Sequence, residues 1–536
     1  MVMKDEDRFT SKKMSRREFI KSSGKLAAGA VLASALLRPA GKALAGKEEE
    51  APKAAPEKKP VAKRLKVPLE DKQKFTGITL NYEYDGNWSN TIDIVKSPIE
   101  AECGLKLGNE EVVNMGEDHA RIVPQLMSKN PRWDFFVSSP MFLGDFVAMD
   151  GVECLDDYLA QYEGSEAYLD QIMPPFREFG MKRNNKIYGL MVDGDIHVMH
   201  YRPSYFNDPE MKKKFEKRFK MELAYPKTWE NYLKVSQFLT EETPEGIYGT
   251  QIFITPPVWG WAPFMDIAAG NGVKYFDESM NPLIASDEAI EALEMAKALL
   301  RWAPPGAESL HINESIKNWQ NGTVLSSIWW VDLPEYSAQQ APQIVEDQGG
   351  GIMPGWEKGG KIVNRAVMAF GRTASIPKNI PQKQKDAAFY FIYRMSHQDY
   401  SVHYVADEYS GSDPYMKIHY ETPEEYVTPD PLRGKTDRMA TNQGIFKTIE
   451  AAKRYLHTAK INAEVGFPQM DWSGASEYNE SLGRNLGKAY TGELTSRQAL
   501  EKTADEWIKT VQKYGIDSQK AQYASFVETS KRMGYW

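Results

Sequence analysis

Residues 187–201 read IYGLMVDGDIHVMHY, and the fold turns on this stretch. Two apolar, β-prone runs flank the acidic turn Asp193-Gly194-Asp195. The pattern predicts a strand leaving one body of the protein, a crossing, and a strand beginning a second body. A hinge is expected at the turn, with a functional cleft beside it. Length agrees, because 536 residues exceed one ordinary core and call for at least two lobes.

Composition narrows the function classes. Hydrophobic residues are 42% and charged residues 26%, the balance of a globular chain. A formal net charge of -8 argues against nucleic acid as a partner. There are only two cysteines, Cys103 and Cys154, and no CxxC or Cys/His cluster. Haem, iron–sulfur and structural zinc therefore have no support, and neither a cofactor nor a metal site is expected. A Cys103–Cys154 disulfide and two buried thiols are both open readings in an exported protein. The 13 Trp residues are a generous supply for lining a pocket.

The N-terminus reads as an address. Arg16-Arg17-Glu18-Phe19-Ile20-Lys21 precedes a mildly apolar run, Leu26 to Leu37, and Ala43-Leu44-Ala45 forms an A-x-A cleavage signal. The arrangement resembles a twin-arginine export signal cleaved after about Ala45, which implies the twin-arginine machinery as a partner and the periplasm as destination. No later segment reaches about 18 consecutive apolar residues. Residues 46–74 are largely Lys, Glu, Pro and Ala and read as a disordered linker.

The folded part begins near Phe75. Strands are expected at 77–82, 112–113 and 133–137, alternating with helices at 90–102 and 118–128, which predicts a largely parallel sheet. Ligands in such sheets sit off the carboxyl ends of the strands. Beyond the crossing, Thr228 and Ser286 suit helix N-caps. Ile290, Leu293, Ala296, Leu299 and Leu300 form one face of a helix. Strands are expected at 247–254, 323–330 and 366–376, and helices at 382–397, 442–457, 475–490, 495–513 and 516–532.

The order of these pieces resembles the extracellular solute-binding proteins of ABC importers, in the carbohydrate-binding group related to maltodextrin-binding proteins. The resemblance rests on YGLMVDGDIHVMHYRPSYF (188–206), YPKTWENYLKVSQFL (225–239), SDEAIEALEMAKALL (286–300) with NWQNGTVLSSIWW (318–330), IPKNIPQKQKDAAFYFIYRMS (376–396), and the run 467–507 that begins FPQMDWSGASEYNES. It implies an α/β fold of two lobes joined by hinge crossings, with the ligand cleft between them. Lobe 1 would comprise 75–193 and 352–400, and lobe 2 would comprise 194–351 and 401–536. Crossings would lie at Asp193-Gly194, near 351–364 and near 399–408. The implied function is capture of a sugar or polyol by lobe closure, as a monomer, and delivery to the permease subunits of the importer. No catalytic residue is implied.

Sugars present weakly apolar C–H faces and many hydroxyls, so their sites combine aromatic rings with convergent polar groups. Positions matching the family's ligand-contact segments are Tyr84, Asp85, Trp88, Ser138, Ser139, Asp193, Asp195, Trp259, Trp330, Asp332, Gly371, Arg372 and Trp472. Each also has a plainer reading. One of Trp329 and Trp330 should pack in the core, because strand neighbours face opposite ways. Asp85 suits an Asx turn, and Ser138 and Ser139 suit a helix cap. Arg372 suits a carboxylate of the protein or of an acidic ligand. Tyr409 and Asp413, in YSGSDPY, also fall near the expected cleft. The alternative is an exported carbohydrate hydrolase or lyase, with Asp85, Asp193 and Asp195 as paired carboxylates.

Overall fold

The computed structural model describes residues 73–113, 117–254, 257–368, 371–408, 410–428, 432 and 444–536. The stretches expected to be an export signal (1–45) and, up to residue 72, a linker, together with Phe370 and Tyr409, lie outside the described residues.

Two sheets organise the chain. The first contains β1 (Thr79–Asp85), β2 (Lys106–Val113), β3 (Phe135–Ser138), β4 (Leu190–Asp193) and a late strand, Arg372–Ser375. Its order is β2-β1-β3-(Arg372–Ser375)-β4. β1 runs parallel to both β2 and β3. Arg372–Ser375 runs antiparallel to β3 and β4, so the expected parallel sheet is mixed at its inner edge. Helix Ser89–Cys103 connects β1 to β2 and ends on Gly104, whose amide donates to Glu100 O from a left-handed conformation.

The second sheet holds β5 (His197–Tyr201), β6 (Ser326–Trp330) and β7 (Gly349–Gly351), all antiparallel with β5 in the centre. Helices Trp229–Glu242 and Asp287–Leu300 are N-capped as expected: Thr228 Oγ1 accepts from Asn231 N (3.2 Å) and Ser286 Oγ from Ala289 N (3.2 Å). The expected strand 247–254 is not one. Its residues make a single bridge, Tyr248 to Val324, and others of their amides go to loop carbonyls, Thr250 N to Trp302 O and Ile254 N to Leu310 O.

The expected strand 366–376 divides into β8 (Ala366–Met368) and β9 (Arg372–Ser375). β8 pairs in parallel with β10 (Gly466–Pro468) in the second lobe, whereas β9 lies in the first sheet. Gly371 separates them at φ +60, a backbone conformation that ends a strand and favours glycine. The change of sheet therefore falls after Met368 and before Arg372. Helix Gln398–Tyr404 packs on helix Ser89–Cys103, and Trp88 Nε1 donates to Ser412 Oγ (2.6 Å), which keeps residues through about 413 with the first lobe. The chain has returned by Tyr426, whose ring meets Tyr455 of helix Ile449–Glu464 in the second lobe.

β1–β4 and β9 thus share one sheet and β5–β7 another, with β8 and β10 paired apart from both. Neither cysteine forms a disulfide: Cys103 donates to Ile99 O (3.7 Å) and Cys154 to Asp156 Oδ2 (3.4 Å). Among the described residues, no helix is long and apolar enough to cross a membrane.

Candidate functional site

Three crossings converge beside one cavity. From the first lobe come Asp85 at the end of β1, Asp118 at the start of a helix, and Ser139 and Phe142 after β3. From the crossings come Asp195, Gly371 and Arg372. From the second lobe come Trp259, Trp329, Trp330, Asp332 and Tyr336, with Ile312 and Ile316 one turn apart on a helix. The free space there is about 40 Å³, room for a few waters and too little for a sugar. A sugar enters such a seam only if the lobes part.

Arg372 is the electrostatic centre. β9 pairs in register with β4, which sets Arg372 opposite Asp193. Its Nε donates to Asp85 Oδ2 (2.6 Å) and its Nη2 to Asp85 Oδ1 (3.2 Å), a bidentate pair across the sheet. Nη1 donates to Asp193 Oδ2 and to Gly411 O (3.0 Å). Burial alone would depress the guanidinium, but Asp85 and Asp193 outweigh it and hold the charge on. Asp193 also accepts from Asp413 N (2.6 Å), and Asp195 Oδ2 from Gly371 N (2.9 Å). The acidic turn is therefore hydrogen-bonded to both later crossings.

The remaining carboxylates exceed this one cation. Burial pushes Asp332 up to about 7, and repulsion from Asp193 adds to it. Burial and then Asp193 raise Asp195 well above the usual carboxylate range. Asp118, raised mainly by burial and next by Asp85, reaches about 6.

The aromatic side is held from behind. Trp330 stacks on Phe253 (centroids 5.0 Å) and meets Trp259 edge-on (5.4 Å) and His197 (4.7 Å). His197 Nδ1 bonds to Asp266 Oδ2 (2.6 Å), and Asp266 Oδ1 accepts from Val367 N (2.7 Å), so three elements position the ring.

Of the positions expected from the sequence, Asp85, Ser139, Asp195, Trp259, Trp330, Asp332, Gly371 and Arg372 meet at this cavity. Asp193 lies just behind it, fully buried on Arg372. Tyr84 and Trp88 do not reach it: both are buried, Tyr84 donating to Glu110 Oε2 (3.1 Å) and Trp88 to Ser412. Ser138 is buried inside β3, opposite Thr373. Trp472 packs with Tyr275, Tyr523 and Phe526 and lines a separate cavity of about 390 Å³. That cavity is larger, but it lies away from the crossings and their convergent charges. Trp259 sits in the first turn of helix Pro257–Gly270, not at a strand end. Trp329 lines the seam as well as Trp330, at the end of the same strand, so the expected split between core and cleft does not hold. Asp118, Phe142, Ile312, Ile316 and Tyr336 carried no sequence signal beyond their place after strands or on helix faces.

The family of bacterial extracellular solute-binding proteins matches this chain over residues 107–392. No curated protein matches it. Among solved structures, a ribitol-bound ABC transporter solute-binding protein from Agrobacterium radiobacter is similar, with a TM-score of 0.62 at 17% identity, covering 82% of this chain and 100% of that one. Maltose-bound MalE3 of T. maritima gives 0.63 at 16%, covering 80% and 99%. A D-mannitol-bound protein from Agrobacterium vitis gives 0.60 at 16%, covering 82% and 99%. These likenesses concern the two-lobed fold.

Proposed function

Because the chain belongs to the bacterial extracellular solute-binding protein family, we propose that it captures a carbohydrate or polyol between its lobes and delivers it to the permease subunits of an ABC importer. The observation that carries this reading is the seam itself. Trp259 and Trp330 offer aromatic faces, and Asp85, Asp195 and Asp332 offer hydroxyl acceptors around the same cavity. The similarity to ribitol-, mannitol- and maltose-bound proteins supports the ligand class.

The chain works without catalysis in this reading. The carboxylates an exported hydrolase or lyase would use are already engaged: Asp85 and Asp193 pair with Arg372, and Asp195 accepts from Gly371. We place the mature chain in the periplasm as a monomer, exported by the twin-arginine machinery and cleaved after about Ala45, on the strength of the N-terminal motif.

The test is a melting-temperature screen against polyols, monosaccharides and maltodextrins, followed by calorimetry and product analysis. At least one carbohydrate should raise the melting temperature and be recovered intact. If only ligands of another class do so, the carbohydrate assignment fails. If the bound sugar is cleaved, the chain is an enzyme.

A further inference from the structure

The hinge carries a feature that solute capture does not require. Asp193 and Asp195 stand on the first crossing, and Asp413 stands on the segment that leads to the last. One carboxylate oxygen from each lies within 4.8 Å of the others. Asp413 is fully buried, and neither of its oxygens has a hydrogen-bond partner. Buried carboxylates are ordinarily paired, hydrogen-bonded or bound to a metal.

Arg372 does not supply the missing charge to Asp413. Its donors go to Asp85, Asp193 and Gly411 O. Nearby Asp332 and Glu335 only add negative charge, and with burial they hold Asp413 well above the usual carboxylate range. Meanwhile the other two carboxylates are fixed by backbone amides, Asp193 by Asp413 N and Asp195 by Gly371 N. Two of the three carboxylates are thus held by backbone amides beside the unpartnered Asp413.

We propose that the hinge binds a hard divalent cation of the calcium type between Asp193, Asp195 and Asp413. Calcium–oxygen distances of about 2.3–2.6 Å let one ion take three oxygens that lie up to roughly 4.0–4.5 Å from one another, within the 4.8 Å that bounds this trio. Magnesium takes about 2.0–2.1 Å and near-octahedral geometry, a stricter demand on the same three carboxylates. The ion would tie the first crossing to the segment around Asp413 and so bear on how easily the lobes part. The site stands or falls independently of the identity of the transported solute.

The experiment uses the full chain, stripped with a chelator and kept free of sugar. Calcium chloride is titrated by calorimetry, with melting temperature followed in parallel. The expected result is saturable binding of one ion per chain at a Kd of about 10⁻⁶ to 10⁻³ M, with a rise in melting temperature. Asp413→Asn should weaken calcium on the order of tenfold or more while raising the melting temperature of the metal-free protein. Wild-type calcium affinity in Asp413→Asn, or no saturable calcium effect in the wild type, overturns the proposal. Tighter binding of magnesium than calcium overturns the calcium-type assignment. Should Asp413→Asn fail to fold, terbium luminescence on the unaltered chain decides. Emission sensitised by the surrounding aromatics and displaced by calcium supports the site, and its absence overturns it.

Discussion

Arg372 grips Asp85 with two donors, Nε at 2.6 Å and Nη2 at 3.2 Å, across the width of the first sheet. The pair joins the carboxyl end of β1 to the second crossing, and Asp193 extends it to the first. Both partners are buried. Removing one member of such a pair strands a charge in a poorly solvated place. Arg372→Met is expected to lower stability by about 3–5 kcal/mol, measured by urea unfolding. Arg372→Lys keeps the charge without the planar fork and should fall between. An unchanged unfolding midpoint in Arg372→Met would show that the pair does not hold the crossings.

Trp330 and Trp472 should respond differently to truncation. Trp330→Ala removes a ring from the seam and should weaken carbohydrate affinity by about tenfold. Trp472→Ala empties a packed cluster with Tyr275, Tyr523 and Phe526, so it should cost roughly 3–5 kcal/mol of stability with affinity retained. Calorimetry and denaturant unfolding on both variants separate the two effects. Equal loss of affinity in both would place Trp472 at the ligand.

Stability should rise on mild acidification. Asp118 is raised by burial to about 6, and burial followed by Asp118 raises Glu83, whose carboxylate oxygens have no hydrogen-bond partner. For an acid whose folded pKa exceeds its unfolded value of about 4, the native state holds the proton more tightly. The cost of ionising it is present above the folded pKa and vanishes as pH falls toward the unfolded one. Unfolding free energy should therefore increase from pH 7 toward pH 5 in chelator-containing buffer. Glu83→Gln should raise stability at pH 7 and flatten this slope. A steeper slope in the variant would refute the assignment.

Gly194 is set by close approach. A Cβ there would lie 2.5 Å from Pro414 O and 2.7 Å from Tyr415 Cβ, so the first crossing touches the segment around Asp413 backbone to backbone. Gly194→Ala should destabilise the chain by about 1–3 kcal/mol, as overpacking does. Melting curves check this, and a neutral result would mean that the crossings slide freely past one another.

Much of the fold was legible in order and alternation. Five strand or helix expectations in the first lobe fell on observed elements because each has its own period, cap or glycine stop, and these act within a few residues. Thr228 and Ser286 cap their helices as read, since capping needs only the residue and the next turn. Local signals failed where the outcome depended on a distant partner. The run 366–376 has one continuous β-prone pattern, yet β8 joins β10 and β9 joins β3 and β4.

What the sequence by itself determined is the crossing at Asp193-Gly194-Asp195, the two-lobed α/β class, and the set of acidic and aromatic positions that follow strands. Hydrophobic period and turn chemistry act along the chain, so they survive without coordinates. Only the tertiary structure decided which of those positions share a cavity. It sent Tyr84, Trp88 and Trp472 into cores and gave Arg372 to Asp85 and Asp193. It also brought Asp413 onto the acidic turn from 220 residues away. Those choices depend on which buried group can find a compensating partner, and partners distant in sequence are chosen by packing rather than by local pattern.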